Sequence, residues 1–226
     1  LHEFSRHGAR HPAYASIVAG GDNANILHYT DNAEALKDND LLLIDAGGEL
    51  SGYAADITRT FPINGKFTEP QKLLYQLVLD TQLTVISEIK PGMTFAKLNE
   101  IANECLTKGL LDLDILSGDL AQLLIDKASK KYFIHGLGHW LGLDVHDVGD
   151  YHINENREQT REFVPGMVLT IEPGLYMPSD DQGLAEKWRG IGIRIEDNIV
   201  VTESGNENLT VNSPRTINEI EALMKT

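Results

Sequence analysis

The chain holds a single cysteine, Cys105, among 226 residues. One thiol excludes a disulfide framework, so no oxidising compartment is needed and a cytoplasmic location is expected. Basic residues are also scarce: 19 Lys and Arg stand against 34 Asp and Glu, a net charge of −15. A nucleic-acid partner requires a basic face, so that class is excluded. Apolar runs are short. None reaches the roughly 18 residues that span a bilayer, and no signal peptide opens the chain, so no membrane segment is expected. Low-complexity tracts and repeats of about 20–50 residues are absent too. The chain starts at Leu1 rather than Met, in what reads as the tail of a helix, and suggests a fragment of something longer or a processed product.

What is present is ordinary globular composition: 42% hydrophobic and 23% charged residues, in a length that can bury a sizeable core as one domain, 1–226. Residues 14–30, "YASIVAGGDNANILHYT", read as two short strands around a Gly-Gly-Asp-Asn turn. "LLLIDAGGELSGYAADITRTFP" (41–62) reads as two longer strands turning at Leu50 and Ser51. Thr68, Glu69 and Pro70 signal a helix start, and Leu73, Leu74, Leu77 and Val78 continue it at helical spacing to about residue 89. Further amphipathic helices are expected at 94–108 and 118–130, β-rich segments at 166–177 and 190–205, and a last short helix at 216–225. Strands, then helices, then strands again indicate an α+β fold rather than a doubly wound one.

Two acids in the second segment raise a problem. With the two-residue loop at Leu50-Ser51, Glu49 pairs with Gly52 and Asp45 falls opposite Asp56. Directly opposed side chains have Cβ atoms about 5 Å apart, and like charges there repel. The run Leu41–Ile44 suggests a buried strand, where two carboxylates need a compensating cation. The alternative is a shifted register with one Asp at a strand end in water. Glu172 in "LTIEPG" and Glu196 in "IGIRIEDN" are further acids in apolar strands. Arg194 shares a strand face with Glu196 by the period-two rule and could fix it; Thr58 could do the same for Asp56. Four carboxylates and an imidazole suit Mn, Co or Zn. With two bridging carboxylates they could hold an ion pair about 3.5–4 Å apart.

The imidazole would come from "FIHGLGHWLGLDVHD" (133–147). His135 and His139 stand four apart, as in the helical HExxH zinc motif, but Gly136 occupies the place of its glutamate. Gly136, Gly138 and Gly142 also disfavour a helix, so this is not that motif. A glycine loop with incidental, satisfied histidines is the other reading.

Together, "ILHYT", "LLIDAGGELSGYAADITRTFP", "FIHGLGHWLGLDVHD", "PGMVLTIEPGLY" and "RGIGIRIEDNIVVTESGNENLT" resemble the pita-bread metallopeptidases, and within them the bacterial Xaa-Pro aminopeptidases. The five pieces run in family order over nearly the whole chain. The resemblance implies a pita-bread fold, a curved antiparallel sheet with helices on its outer face. It implies two divalent ions, by family preference Mn, held by Asp45, Asp56, His139, Glu172 and Glu196, with Asp56 and Glu196 bridging. None of the five departs from the family pattern. It further implies peptide substrates with proline in second position, Glu172 as general base, His28 and His146 on the substrate or intermediate, His135 near its proline side, and Arg194 and Tyr176 in support. His2, His7, His11 and His152 read as surface or structural, Cys105 and Trp140 as core, and Trp188 as core or pocket wall.

Full-length family members carry an N-terminal domain before the catalytic one, and no piece of this chain resembles it. That domain often builds the oligomer, so a homo-oligomer is not inherited from the resemblance. Prolidase shares the metal ligands and cleaves Xaa-Pro dipeptides, which makes it the first rival. A pita-bread interaction module without catalysis, or a metal-independent relative resembling creatine hydrolase, would have lost ligands that all stand here.

Overall fold

The computed structural model describes residues 1–154 and 156–225. The chain opens with α1 (His2–Arg6), β1 (His11–Pro12) and β2 (Ile17–Gly20), then a 3₁₀ turn over Gly21–Asn25. The second strand expected before residue 30 is this turn instead. Next come β3 (Leu41–Asp45), β4 (Gly48–Leu50), β5 (Tyr53–Ala54) and β6 (Thr58–Pro62). The helical middle is α2 (Glu69–Ser87), α3 (Phe95–Asp112) and α4 (Leu120–Ile125), followed by a 3₁₀ turn at Ala128–Lys131. The last part is β7 (Val168–Ile171), β8 (Gly174–Met177), β9 (Ile191–Arg194), β10 (Asp197–Val201), β11 (Asn206–Asn208) and α5 (Ile217–Leu223). The expected helix at 118–130 is thus shorter, and α3 runs four residues beyond its expected end.

All strand pairs are antiparallel, in ladders ordered β1-β4-β5, β2-β3-β6, β8-β9 and β11-β10-β7. The turn at the end of β4 lies one residue later than the sequence suggested. Leu50 pairs with Tyr53, and Ser51 (φ 54°) and Gly52 (φ 86°) form the loop. A two-residue hairpin loop favours positive φ at both positions, which suits Ser-Gly and penalises leucine. The register therefore slips by two residues, and Asp45 pairs with Thr58 rather than Asp56. An even slip keeps every side chain on its face, so Asp56 becomes the diagonal neighbour of Asp45.

The α2 start is as the sequence reads: the Gln71 side chain accepts from the Thr68 backbone N–H at 2.8 Å, and Pro70 follows in the first turn. Leu74, Val78 and Val85 of α2 and Leu98, Ala102, Leu106 and Leu110 of α3 pack into one core with Leu169, Ile171, Leu175, Ile193 and Ile195. Each fully buried aliphatic side chain there contributes roughly 1.5–3 kcal/mol. Alternation along a strand then sets the opposite face. Ile171 and Ile195 turn toward the helices, so the next residues, Glu172 and Glu196, turn away from them into a cavity. Trp140 and Trp188 are both core, Trp140 against Phe95, Tyr151 and Phe163. Cys105 is only partly buried, because it lies off the stripe that α3 turns inward.

Candidate metal centre

The histidine segment is not helical. Residues 137–141 run beside β7 as an irregular extra strand: Glu172 N–H donates to Leu137 O (2.8 Å), Thr170 N–H to His139 O (2.9 Å) and Leu141 N–H to Val168 O (3.1 Å). Only glycine fits at 138, since a Cβ there would lie 1.9 Å from the Thr170 carbonyl oxygen. This close approach brings the His139 Nε2 to 3.5 Å from Glu172 and 3.4 Å from Asp56. The Nδ1 faces the Trp140 carbonyl at 3.0 Å. An N–H donated there leaves Nε2 with its lone pair toward the carboxylates.

All nine residues expected at the site line one cavity of about 270 Å³, with Leu27, Gly136 and Gly138 completing its wall. Asp45 is the last residue of β3, and Asp56 lies in the break between β5 and β6. Both are buried, and the Tyr14 hydroxyl reaches an oxygen of each, that of Asp56 at 2.6 Å. The two acids therefore converge within one phenol's reach despite the shifted register. Asp56 is also held through its backbone, which exchanges hydrogen bonds with the Asn198 side chain. Glu196 stands past the end of β9, and its Oε2 accepts from Thr58 Oγ1 at 2.7 Å.

Two supporting contacts differ from the sequence reading. Arg194 bonds Asp45 (2.7 Å), Tyr176 (2.9 Å) and Thr58 (3.2 Å), while Thr58 holds Glu196. Arg194 and Glu196 do share the cavity face, as the period-two rule placed them, with Ile193 and Ile195 in the core, but the guanidinium reaches across to Asp45 instead of Glu196. His135 Nε2 meets the Tyr176 hydroxyl at 2.7 Å, and its Nδ1 meets the Gly136 carbonyl at 2.6 Å. His146 is exposed and lies against the His139 ring, with centroids 4.1 Å apart; His28 is exposed at the cavity wall. Of the other histidines, His2, His7 and His11 are exposed, His11 paired with Glu49 at 2.9 Å, and His152 is half-buried in a short loop bridge.

The electrostatics are those of a site that favours a cation. Burial raises the carboxyl pKa values of Asp45 and Glu196 and pushes Glu172 up to about 7, and neighbouring acids add to each shift. Burial also pushes His135 down to about 3, so it is neutral. Arg194 is held firmly protonated by Tyr176, Asp45 and Glu196, although burial works against its charge. Glu196 Oε1 is buried with no hydrogen-bond partner among the described residues. An orphan carboxylate oxygen in a protein interior is costly, and a cation is the partner this surrounding lacks. Ligand atoms of Asp56, His139 and Glu196 lie within 4.8 Å of one another, a span one divalent ion can bridge. The donor set therefore fits the expected metals.

Sequence reasoning missed Tyr14, Asn198 and Gln82. A tyrosine before a strand and an asparagine after an acid carry no signal of their own. Gln82 did carry one: it occupies a position of the apolar stripe of α2, four residues after Val78.

Mixed α and β structure with clustered carboxylates and a histidine at strand ends defines a metal-dependent hydrolase type of site. Residues 1–203 match the model of metallopeptidase family M24, and the chain belongs to that family. It is 52% identical to Xaa-Pro aminopeptidases of Haemophilus influenzae and Escherichia coli, over 99% of this chain and 51% and 49% of those proteins. It superposes with a TM-score of 0.95 on zinc-substituted E. coli aminopeptidase P in complex with product, at 52% identity over 99% of this chain and 50% of that one. The same enzyme with the inhibitor Pro-Leu superposes equally well. The fold is the pita-bread fold of this family. The chain spans about half the length of the curated relatives it matches.

Proposed function

We propose that residues 1–226 form the catalytic domain of a metal-dependent aminopeptidase that removes the N-terminal residue from peptides with proline in second position. The observation that carries this reading is the convergence of Asp45, Asp56, His139, Glu172 and Glu196 on one cavity, with the Glu196 Oε1 buried and unpartnered. The 52% identity to Xaa-Pro aminopeptidases supports the substrate class. Asp56 and Glu196 would bridge two ions, Asp45 would serve one, and His139 with Glu172 the other; Mn is the proposed metal, with Co or Zn as substitutes. Bound there, divalent ions supply Lewis acidity toward the scissile carbonyl and make a water nucleophilic near neutral pH.

The chain's own groups supply the rest. Glu172, facing His139 and His135 at the cavity, accepts the proton of the attacking water and delivers it to the departing proline nitrogen. His28 and His146, at the open side of the cavity, donate hydrogen bonds to the substrate or the tetrahedral intermediate. Neutral His135, locked between Tyr176 and the Gly136 carbonyl, forms the wall on the proline side. Arg194 keeps the Asp45 carboxylate charged and oriented. The acidic chain and its cavity suit a peptide partner rather than a nucleic acid, and we place it in the cytoplasm. Among the described residues no helix is long and apolar enough to cross a membrane.

The test is hydrolysis of an Xaa-Pro-Yaa tripeptide and an Xaa-Pro dipeptide with added Mn. Cleavage of the tripeptide before proline, abolished by EDTA and by Asp56→Ala, is expected. Hydrolysis confined to the dipeptide would replace this reading by prolidase. Full activity of Asp56→Ala would remove the ligand assignment.

A further inference from the structure

Gln82 is fully buried in the middle of α2, on the stripe that otherwise presents Leu74, Val78 and Val85 to the core. A buried amide is tolerated where its hydrogen-bonding groups find partners. Its Nε2 donates to two carbonyls, Ile171 O and Ile195 O, each at 3.1 Å, and so uses both amide hydrogens. Its Oε1 has no partner among the described residues. The side chain is therefore placed for the two donations and is not satisfied in every direction.

The two carbonyls are not arbitrary. Each belongs to the peptide unit that enters a proposed ligand: Ile171–Glu172 and Ile195–Glu196. A peptide unit is planar and rigid, so fixing its oxygen and its N–H fixes the plane from which the next side chain springs. The other ends of both units are also held. Glu172 N–H donates to Leu137 O at 2.8 Å, in the segment carrying His139, and Glu196 N–H donates to Thr58 O at 3.1 Å, two residues from Asp56. Ile171 is the last residue of β7 and Ile195 the first after β9, in different ladders, and Gln82 joins the two where the chain leaves them.

We propose that Gln82 is a positioning residue of the metal centre, a tie from the helical layer that sets the separation of Glu172 and Glu196. It touches neither substrate nor metal. This rests on the ligand assignment above and extends it to the core beneath. Packing alone would be served as well by an apolar side chain of similar volume; holding two carbonyls at once requires a double donor. The tie acts on the ion that Glu172 and Glu196 share, and leaves the Asp45 side of the centre less affected.

The test uses the full chain with Gln82→Met, which keeps length and volume without donors, and Gln82→Glu, which keeps the shape and removes the paired N–H groups. Mn binding is followed by calorimetric titration and metal analysis, exchange coupling of the two ions by electron paramagnetic resonance, and folding by circular dichroism. The unsubstituted chain is expected to bind two Mn ions with a coupled signal. In both variants one of the two binding events should weaken about tenfold or more, as loss of an outer contact to a metal ligand typically does, and the coupling should fall. Two ions bound with unchanged affinity and coupling in either folded variant overturn the proposal. Failure of both variants to fold overturns it as well, and makes Gln82 a core residue only. Uptake of one ion or none by the unsubstituted chain instead overturns the two-ion reading, which separates the two failures.

Discussion

Glu172 and Glu196 stand where strands end, each following an isoleucine turned to the core; Glu196 is buried and Glu172 half-buried, and other acids raise the proton affinity of both. Their separate roles follow from what else they touch. Glu172 faces His139 and His135 across 3.5–3.7 Å, a setting for moving a proton, whereas Glu196 is pinned by Thr58. His146 touches the ring of His139 but is exposed to the cavity mouth. His146→Ala is therefore expected to lower kcat by about 10²-fold, in the range of one lost oxyanion donor, while metal content stays unchanged. Metal analysis beside kinetics checks this, and loss of metal would show that His146 supports the ligands instead. The five proposed ligands stood out as anomalies of pattern, acids in apolar strands and a histidine among glycines, but only the family resemblance joined them into one ligand set. Tyr14, Asn198 and Gln82 were not called, since their importance lies in contacts 31 to 142 residues away in sequence.

Among the elements, the long helices were read nearly to their ends, because capping at Thr68 and a four-residue apolar spacing act locally. The hairpin register was missed because the turn obeys backbone conformation, and a pattern of apolar residues cannot distinguish Leu50-Ser51 from Ser51-Gly52. The face of Asp45 and Asp56 survived that error, since the slip was even. Arg194 and Glu196 share a face as read, but Arg194 holds Asp45 and Thr58 holds Glu196, because periodicity fixes a face and not the partner across the cavity. The segment 137–141 is held beside β7 by Gly138, and Gly138→Ala should push it away from Thr170. We expect a loss of about 1–3 kcal/mol, the usual cost of overpacking, together with weakened metal binding. Urea unfolding and Mn titration measure both, and a neutral outcome would mean that the segment can shift without disturbing His139.

The whole molecule gathers four carboxyl groups, three of them buried and Glu172 half-buried, behind one helical layer, and its stability should depend on what neutralises them. His135 and His146, whose pKa values burial lowers, are neutral when folded and lose their unfolded-state protons only by about pH 7.5. Above that pH, Glu196, raised well above the ordinary carboxyl range, and what remains protonated of Glu172, raised to about 7, hold protons more tightly folded than unfolded. His139 acts in the same sense: contact with Asp56 and Glu172 raises it although burial opposes. The folded state therefore binds more protons in this range, and stability of the metal-free chain should fall as pH rises above about 7.5. Thermal melts in EDTA should show this decline, and Mn should raise and flatten the curve. A flat or rising metal-free profile would contradict the burial of these acids.

Anomalous scattering from crystals grown with Mn tests the central claim most directly. Two peaks about 3.5–4 Å apart, lying between Asp56 and Glu196, are expected for a bridged pair. A single peak, or peaks away from these carboxylates, would contradict the account.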